Sequence, residues 1–288
     1  GRSRAGFGGG QEFVGSLGRL HEGNTMSRRV LDEILAMTAL ELDALRSAPP
    51  EDVGHRPLDV PALLRRQAGD PLRLIAEIKL RSPSAGPLSR RLSVRERASL
   101  YAGSGARMIS VLVDRAHFDG SYEHLSQARA VVDVPLLCKG FVIDPVQVTA
   151  ARRAGADAVL LIVRVLQGGA LAELHHAVLE AGLTPIVEVV DEAELERAWS
   201  VSAPVIGVNA RDLDTLKMDA ERASRVLTRI ADGAPERRAC ALFFSGLSAP
   251  ADVLRIAATP ADGALIGEAL MRADEPGPLL RSMLSAAG

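Results

Sequence analysis

The first regular pattern of apolar positions in the chain is helical. From Ser27 onward, apolar residues recur at the spacing of one helix face. The expected face consists of Val30, Ile34, Leu35, Met37, Leu40 and Leu45. Pro49 and Pro50 end this helix, because proline cannot continue the hydrogen-bond ladder. A second short helix is expected near Val60–Gln67.

The pattern then changes to short apolar runs that alternate with amphipathic segments. The eight runs are "RLIAEIK", "RMISVLVD", "PLLCK", "AVLLIV", "PIVEVV", "PVIGVN", "ALFFSG" and "GALIGE". Several of the helical segments between them end at a glycine, as helix C-caps favour. Eight strand–helix units predict an α/β fold, a (β/α)8 TIM barrel with extra N-terminal helices. A doubly wound open sheet is the alternative.

The beginning of the chain differs from the rest. Residues 1–25 are rich in glycine, show no apolar periodicity and lack the apolar core of a secretory signal. We expect this segment to be an expression leader or a disordered tail. Residues 26–288 are expected to form a single barrel domain that includes the N-terminal helices.

Alternation along the strands predicts which side chains enter the barrel. In a strand, residues two apart share a face, and in this fold function lies at the C-terminal ends of the strands. The inward set at that end is expected to be Glu77, Lys79, Lys139, Glu188, Asn209 and Ser245. On the seventh strand the same counting puts Phe243 inward with Ser245, and Phe244 outward against the helices.

Charged side chains in a barrel mouth need an explanation. Each one alone could be a solvated strand end. Two lysines and two glutamates together must pair with one another or share a bound ligand, because isolated buried charge is unfavourable. Lysines and carboxylates held in this way suit acid–base chemistry at neutral pH.

The last two strands are followed by glycines that favour a phosphate site. In this architecture the loops after strands seven and eight commonly bind phosphate. Those loops begin "SGLS", with Gly246, and "GEAL", with Gly267, and Ser82 follows strand one. Free N–H groups at a helix start attract anions, although ordinary tight turns would look the same. Glu268 lies in this predicted site, and its carboxylate is expected to point away from a phosphate.

Composition narrows the functional classes. The net charge is −2 and aromatic residues are 3 %, which argues against nucleic acid and membrane partners. Cys138 and Cys240 lie in apolar runs, as core residues of a cytoplasmic protein would. The chain has no dinucleotide fingerprint, no Walker motif and no Cys/His metal spacing, so no cofactor and no metal are expected.

Taken together, these residues resemble the indole-3-glycerol phosphate synthase family. The matching pieces occur in the family's order and include "LIAEIKLRSPSAG", "LLCKGFVIDPVQV", "IVEVVDEAELERA", "IGVNARDLDTLKMD" and "GALIGEALMR". The resemblance implies closure of an indole ring. The aryl ring of 1-(2-carboxyphenylamino)-1-deoxyribulose 5-phosphate attacks the ketone carbon, and carbon dioxide and then water leave.

The resemblance also implies roles for individual residues. Lys139 matches the general acid, and Lys79 matches the lysine that holds the carboxylate of the anthranilate. Glu77 and Glu188 match carboxylates that transfer protons and stabilise positive charge on nitrogen. Asn209 completes the catalytic set and matches a polar group that orients the substrate. The substrate-binding set is Arg211, Ser82, Ser245, Phe118, Phe141 and Leu161, of which the last three match the walls around the aryl ring. The phosphate-binding set is Ser82, Gly246, Gly267 and Glu268.

Four positions depart from the family pattern. Gly140 stands where the family usually has aspartate, Ala210 where it has asparagine, and Val190 where histidine is frequent. Phe244 stands in place of a glutamate. The alternatives are therefore a divergent enzyme for a related aryl-aminodeoxyketose phosphate and an inactive regulatory barrel. A Schiff-base aldolase is a further one, because Lys139 ends a strand. We expect a monomer or a weak homodimer.

Overall fold

The computed structural model describes residues 15–288 except 84–85, 213–214, 216 and 235–236, and for residues 15–30 the backbone alone. Part of the segment set aside from the sequence, residues 1–14, lies outside the described residues. The other part, from Gly15, is already helical. The boundary at residue 26 stays a prediction.

Eight parallel strands close into a barrel, which confirms the predicted fold. The strands are β1 Arg73–Ile78, β2 Met108–Leu112, β3 Leu136–Lys139, β4 Ala158–Ile162, β5 Thr184–Val189, β6 Val205–Asn209, β7 Cys240–Phe244 and β8 Gly263–Ile266. Each strand pairs with its neighbour in sequence, and β8 pairs with β1. A two-stranded ribbon, Arg81–Ser82 with Gly86–Pro87, follows β1.

Helices surround the barrel and precede it. They are α1 Gly15–Ser47, α2 Val60–Leu64, α3 Val94–Gly103, α4 Arg115–Phe118, α5 Tyr122–Arg129, α6 Pro145–Arg153, α7 Ala170–Glu180, α8 Glu192–Ser200, α9 Ala220–Ala231, α10 Pro250–Ala257, α11 Glu268–Arg272 and α12 Pro276–Ala286. Side-chain caps fix many of the starts. On α6, for example, the Asp144 carboxylate accepts the N–H of Val146, and Pro145 fills the first turn. No helix in the described part of the chain is long and apolar enough to cross a membrane.

The face of α1 that meets the barrel differs in part from the predicted one. Ile34 and Thr38 are buried, but Met37 is 41 % exposed and Leu40 is 75 % exposed. Both residues are apolar, yet a helix turns by about 100° per residue. That turn places Met37 and Leu40 on the solvent side when Ile34 and Thr38 face inward. Apolar character alone was therefore a poor guide to the face.

Two apolar clusters account for the core. The outer one fills the space between strands and helices and includes Leu74, Ala76 and Ile78 of β1. The inner one fills the barrel lumen and includes Ile75 of the same strand. Alternation along each strand divides the two sets, as the pleat of a strand requires, and it carries polar residues of the inner set to the barrel mouth.

Candidate active site

The C-terminal ends of the strands surround a cavity of about 400 Å³. Most of the predicted site residues line it: Glu77, Lys79, Ser82, Phe118, Lys139, Phe141, Glu188, Asn209, Arg211, Ser245, Gly246, Gly267 and Glu268. The exception is Leu161. The volume is that of a pocket for a small molecule, and the lining combines apolar walls with both signs of charge.

Strand register places four inward side chains in one layer. Glu77 on β1 is in register with Ser110 on β2. From one odd-numbered strand to the next, the residue that belongs to the layer lies two positions further toward the C-terminal end than the register partner. Layers formed by alternate strands are the normal packing of this barrel. The same step around the closed sheet joins one side chain from each odd-numbered strand. The layer consists of Glu77, Lys139, Glu188 and Phe244.

Glu77 is buried and fully engaged. One carboxylate oxygen lies 3.0 Å from Nζ of Lys79, and the other accepts a hydrogen bond of 3.4 Å from the Ser110 hydroxyl. Burial opposes ionisation, but the ammonium groups of Lys79 and Lys139 prevail and hold the pKa of Glu77 below its ordinary value. Glu77 is therefore a charged anchor for Lys79 at neutral pH.

A chain of hydrogen bonds orients Glu188. The Ser245 hydroxyl donates to Oδ1 of Asn209 at 2.8 Å, and the Arg211 backbone N–H donates to the same oxygen at 3.0 Å. Asn209 then donates from Nδ2 to Oε1 of Glu188 at 3.0 Å. Since Oδ1 accepts twice, the amide of Asn209 has one orientation, and that orientation fixes the carboxylate of Glu188.

The second oxygen of Glu188 is buried without a hydrogen-bond partner. Its nearest cation is Lys139, whose Nζ lies 4.0 Å away. That distance is too long for a hydrogen bond and short enough for strong attraction in a buried site. Lys139 and the second oxygen of Glu188 are therefore placed to exchange protons with a molecule bound in the cavity.

Apolar side chains cover one side of the mouth. The rings of Phe118 and Phe141 lie 6.3 Å apart at 32°, a tilted arrangement that aromatic pairs favour. Leu31 and Ile34 of α1 also line the cavity. An aryl ring between these surfaces would displace water from the charged layer and strengthen its interactions.

Leu161 does not belong to that wall, and its predicted contact with the aryl ring is wrong. Leu161 is buried in the outer cluster against the helices. Its neighbours Leu160 and Ile162 line the cavity instead. The reason is alternation along β4, which sends residues 160 and 162 to the lumen and residue 161 outward.

The prediction for β7 is also wrong. Phe243 packs in the outer cluster, whereas Phe244 lies in the inner cluster and lines the cavity. Counting backward from Ser245 assumed that Ser245 continues the strand. The strand ends at Phe244, and Ser245 has a φ of +76°. This left-handed turn brings the Ser245 hydroxyl to Asn209 on the same side as Phe244.

The other departures from the family pattern have different positions. Ala210 is buried in the outer cluster and does not line the cavity. Val190 is buried, and its N–H donates to Glu194. Gly140 does line the cavity, and a Cβ there would lie 2.9 Å from Cγ2 of Val113. Among the four departures, Gly140 and Phe244 are the two that reach the cavity.

The predicted phosphate region is partly occupied by the protein itself. The N–H groups of Ser248 and Ala249 at the start of α10 are taken by the Asp252 carboxylate. Gly246 precedes that start and lines the cavity. Ser82 and Gly267 line it as well, and a Cβ on Gly267 would lie only 2.6 Å from Oε1 of Glu77. A phosphate in this region would therefore lie near Gly246 and Gly267, not at the capped helix start.

The side chain of Glu268 is paired, and its partner was missed from the sequence. Its carboxylate lies 2.8 Å from Nε of Arg272, one turn further along α11. Arg272 itself lines the cavity. The spacing of four residues between a glutamate and an arginine predicts such a pair on a helix, so the sequence did contain a signal for it.

Composition contained a second signal that was overlooked. Lysine and arginine together number 34, but lysine occurs at only three positions, Lys79, Lys139 and Lys217. Two of these three line the cavity. Arginine supplies nearly all the remaining positive charge. The placement of two of the three lysines in the mouth was therefore a compositional signal for the site.

The closed barrel and the charged cavity at the C-terminal ends of its strands are those of a (β/α)8-barrel enzyme with a small-molecule site. A family model described as "Indole-3-glycerol phosphate synthase" matches residues 31–283. The chain belongs to this family.

Relatives that carry the same description cover most of the chain. The protein from Mycobacteroides abscessus is 42 % identical over 80 % of this chain and 82 % of its own length. The protein from Salinibacter ruber is 41 % identical over 81 % of this chain and 84 % of its own length. The activity of the chain is therefore that of the family, a decarboxylating ring closure that forms indole-3-glycerol phosphate in tryptophan biosynthesis.

Solved structures with the same barrel are more distant. The 3-hexulose-6-phosphate synthase from Salmonella typhimurium superposes with a TM-score of 0.56 at 15 % identity, over 75 % of this chain and 98 % of that chain. At that identity the likeness concerns the fold alone.

Proposed function

We propose that Lys139 is the general acid of the ring closure. The ketone oxygen of the substrate gains negative charge when the aryl carbon attacks, and a proton must reach it in that step. Lys139 projects from the end of β3 into the cavity, and its ammonium group lies 4.0 Å from Glu188. This placement between a carboxylate and open space is the observation that carries the proposal.

Glu188 takes the complementary role of proton acceptor and charge stabiliser. Its free oxygen faces the cavity, while Asn209 holds the other oxygen. A carboxylate fixed in this way stabilises positive charge on the substrate nitrogen without reorganisation. Asn209 and Arg211 orient the substrate from the end of β6, where Arg211 lines the cavity.

Lys79 and Glu77 form the second proton-transfer pair. Lys79 is placed to hold the carboxylate of the anthranilate group until it leaves as carbon dioxide. Glu77 positions the ammonium group of Lys79 through the 3.0 Å contact. Once the carboxylate has gone, the pair is free to assist the loss of water in the final step.

Binding of the two ends of the substrate divides between opposite parts of the rim. The aryl ring packs against Phe118 and Phe141, with Leu160 in the place predicted for Leu161. The phosphate binds near Ser82, Gly246 and Gly267, with Ser245 beside it. The carboxylate of Glu268 does not contact the phosphate, because Arg272 holds it.

Direct turnover tests this assignment. The protein is mixed with 1-(2-carboxyphenylamino)-1-deoxyribulose 5-phosphate while indole fluorescence and carbon dioxide release are followed. Stoichiometric appearance of both products is expected. Tight binding without turnover would contradict the proposal. Treatment with borohydride in the presence of substrate distinguishes this mechanism from a Schiff-base mechanism, because borohydride would trap a Schiff base as a covalent adduct. No covalent adduct on Lys139 is expected.

We further propose that the protein is a cytoplasmic monomer or weak homodimer. Both cysteines are free and buried, and burial raises the pKa of Cys138 to about 12. Such thiols suit a reducing compartment. Light scattering over a range of protein concentrations measures the oligomeric state, and a stable tetramer would contradict the proposal.

A further inference from the structure

One arginine joins three loops at the C-terminal end of the barrel. Arg164 lies in the loop after β4, and its side chain is 19 % exposed. Its Nε lies 2.7 Å from a carboxylate oxygen of Glu194, Nη1 lies 2.9 Å from Asp212, and Nη2 lies 3.4 Å from Asp191. Asp191 and Glu194 follow β5, and Asp212 follows β6. A planar guanidinium with donors in a fixed fork therefore holds acceptors from two neighbouring loops in one arrangement.

The contact with Asp212 reaches the active-site carboxylate through a continuous set of bonds. Asp212 follows Arg211 directly in the chain, and the N–H of Arg211 donates to Oδ1 of Asn209 at 3.0 Å. Asn209 in turn donates from Nδ2 to Oε1 of Glu188 at 3.0 Å. A shift of Asp212 would therefore move a donor that fixes the orientation of the Asn209 amide, and with it the carboxylate of Glu188.

The contact with Glu194 acts on the neighbouring strand. The other oxygen of Glu194 accepts the N–H of Val190 at 2.8 Å, and Val190 lies two residues beyond Glu188 at the end of β5. Arg164 thus holds the strand that carries Glu188 and also the loop that carries Arg211. Because Arg164 does not itself line the cavity, it can act on the site only through such contacts.

We propose that Arg164 is a positioning residue for the ring closure, which sets the separation between the end of β5 and the loop after β6 and so aligns Glu188 with Arg211. The proposal rests on the roles assigned above to those two residues. A second arginine, Arg222 of α9, lies 4.0 Å from Asp212. Its hydrogen bond goes to a backbone carbonyl of the same loop, so Arg222 braces the loop after β6 without tying it to β5.

A purely structural role is the alternative, and Arg197 of α8 provides the matched control for it. Arg197 is partly buried, as Arg164 is. It donates to the carbonyl oxygen of Val163 at 2.9 Å and to that of Leu166, so it braces the same loop after β4. These contacts include no residue of the loop after β6. Arg197→Met should therefore weaken the same part of the fold without moving the site.

Amide hydrogen exchange followed by NMR measures the hold on the loop without turnover. The reporter is the N–H of Arg211, which its bond to Asn209 protects. In Arg164→Met we expect this N–H to exchange about tenfold faster relative to the amide of Val208 inside β6, because local opening of the loop needs less free energy. In Arg197→Met the ratio of the two exchange rates should stay that of the parent protein. An unchanged ratio in Arg164→Met would overturn the proposal.

Steady-state kinetics test whether this hold matters for the reaction. For Arg164→Met we expect kcat to fall by about 10-fold or more, because misplacement of a reacting group by about 1 Å costs up to about 10²-fold. KM should rise no more than about threefold, since the aryl and phosphate contacts lie on other loops. The folded fraction of Arg197→Met should keep its kcat. An Arg164→Met protein that is less stable but keeps the kcat of the parent would overturn the proposal.

A second variant tests the route and takes the place of the first if Arg164→Met does not fold. Asp212→Asn keeps the size of the side chain and removes the charge that Arg164 contacts. It should lower kcat and speed exchange of the Arg211 N–H, and normal values of both would overturn the proposal. The double variant should have the kcat of Arg164→Met alone, because both changes break one contact. Losses that multiplied would overturn the route through Asp212.

Failure of this proposal is distinguishable from failure of the proposed function. A parent protein that formed no indole would contradict the proposed function, but the exchange rates of Arg211 in the parent, Arg164→Met and Arg197→Met could still be compared. Normal turnover of the parent with equal exchange in all three proteins would contradict only the role of Arg164.

Discussion

The two ends of the barrel use buried charge in opposite ways. At the N-terminal end, just before β4, the Asp157 carboxylate is fully buried and accepts four hydrogen bonds. Two come from side chains, Nε2 of His55 at 2.7 Å and Arg129 at 2.9 Å. The other two come from the backbone N–H groups of Leu58 at 2.8 Å and Leu136 at 2.7 Å. At the C-terminal end, one carboxylate oxygen of Glu188 accepts a hydrogen bond from Asn209, and the other oxygen has no hydrogen-bond partner.

The difference teaches how a barrel separates stability from chemistry. A carboxylate with every lone pair engaged stabilises the fold and has no capacity left for a ligand. A carboxylate with a free buried oxygen is unfavourable in the free protein and becomes useful only when a substrate supplies charge or a proton. A buried carboxylate thus stabilises the fold at the N-terminal end and is available for chemistry at the C-terminal end.

Removing the ammonium group of Lys139 should give the largest effect at the C-terminal end. For Lys139→Met we expect kcat to fall by about 10³-fold, the range of a lost general acid, with KM within a few-fold of the original value. Indole fluorescence in steady-state assays measures both constants.

Lys217→Met is the matched control, because Lys217 is exposed and does not line the cavity. Its kcat and its midpoint of urea unfolding should stay those of the parent protein, whereas Lys139→Met should unfold at a lower urea concentration because the buried Glu188 carboxylate loses its nearest cation. Near-full activity of Lys139→Met would remove Lys139 from the role of general acid.

At the other end, Asp157→Asn should change stability and leave the chemistry intact. Arg129 would remain as a buried charge without its counterion, since its side chain is only 7 % exposed. Breaking such a pair lowers the free energy of unfolding by about 3–5 kcal/mol, which urea denaturation measures. The folded fraction should keep its kcat.

The control for this variant is Asp43→Asn. Asp43 also pairs with an arginine, Arg46, but its side chain is 94 % exposed. The expected loss is below about 0.5 kcal/mol. If both substitutions lowered the free energy of unfolding equally, the contrast between a buried ion pair and a surface ion pair would be wrong.

A third change tests the packing of the barrel lumen below the cavity. Gly207→Ala should destabilise the protein by about 1–3 kcal/mol, because the new methyl group collides with the ring of Phe244. Phe244→Leu in the same chain should recover part of the loss, as thermal unfolding of the single and double variants would measure. Additive effects of the two substitutions would show that the residues do not compete for space.

The fold could be predicted from the sequence because its signals are local and repeated. Eight apolar runs separated by amphipathic segments leave few arrangements, and alternation placed Glu77, Lys139, Glu188 and Asn209 inside the barrel correctly. These four positions lie within regular strands, where the two-residue period holds.

The errors occur where a strand stops or where a residue was placed by likeness alone. The pattern of apolar residues predicts an outward Phe244 because it contains no sign of the left-handed turn at Ser245. The prediction for Leu161 rests on resemblance alone, whereas alternation along β4 points Leu160 and Ile162 to the lumen. The contribution of Leu31 and Ile34 to the cavity depends on how α1 crosses the mouth, which is a tertiary contact and not a sequence period.

The acidic limb of stability should distinguish Glu77 from a surface glutamate. The folded pKa of Glu77 is below its ordinary value, which in unfolded chains is about 4.3. Its ionised form therefore contributes stability that is complete above about pH 4.3 and is lost as the pH falls through the folded pKa.

Urea unfolding of the parent and of Glu77→Gln between pH 7 and pH 3 measures this contribution. The difference in the free energy of unfolding should be constant near neutral pH and should shrink below about pH 4. A difference that grew on acidification would reverse the sign of the coupling between Glu77 and the two lysines.

The smallest effect on activity is expected at the rim of the cavity, where the charged side chains are exposed to solvent. Arg272 and Glu268 pair at 2.8 Å with side chains 55 % and 40 % exposed, so water screens both. Arg272→Gln should raise KM about threefold through weaker attraction of the substrate phosphate, with kcat unchanged. Arg255→Gln is the control, since Arg255 pairs with Asp252 on α10 in a similar way but does not line the cavity. Because a solvated rim charge acts at long range, the increase in KM should disappear at high salt. An increase that persisted there would mean that Arg272 contacts the phosphate directly and belongs with the enclosed groups of the mouth.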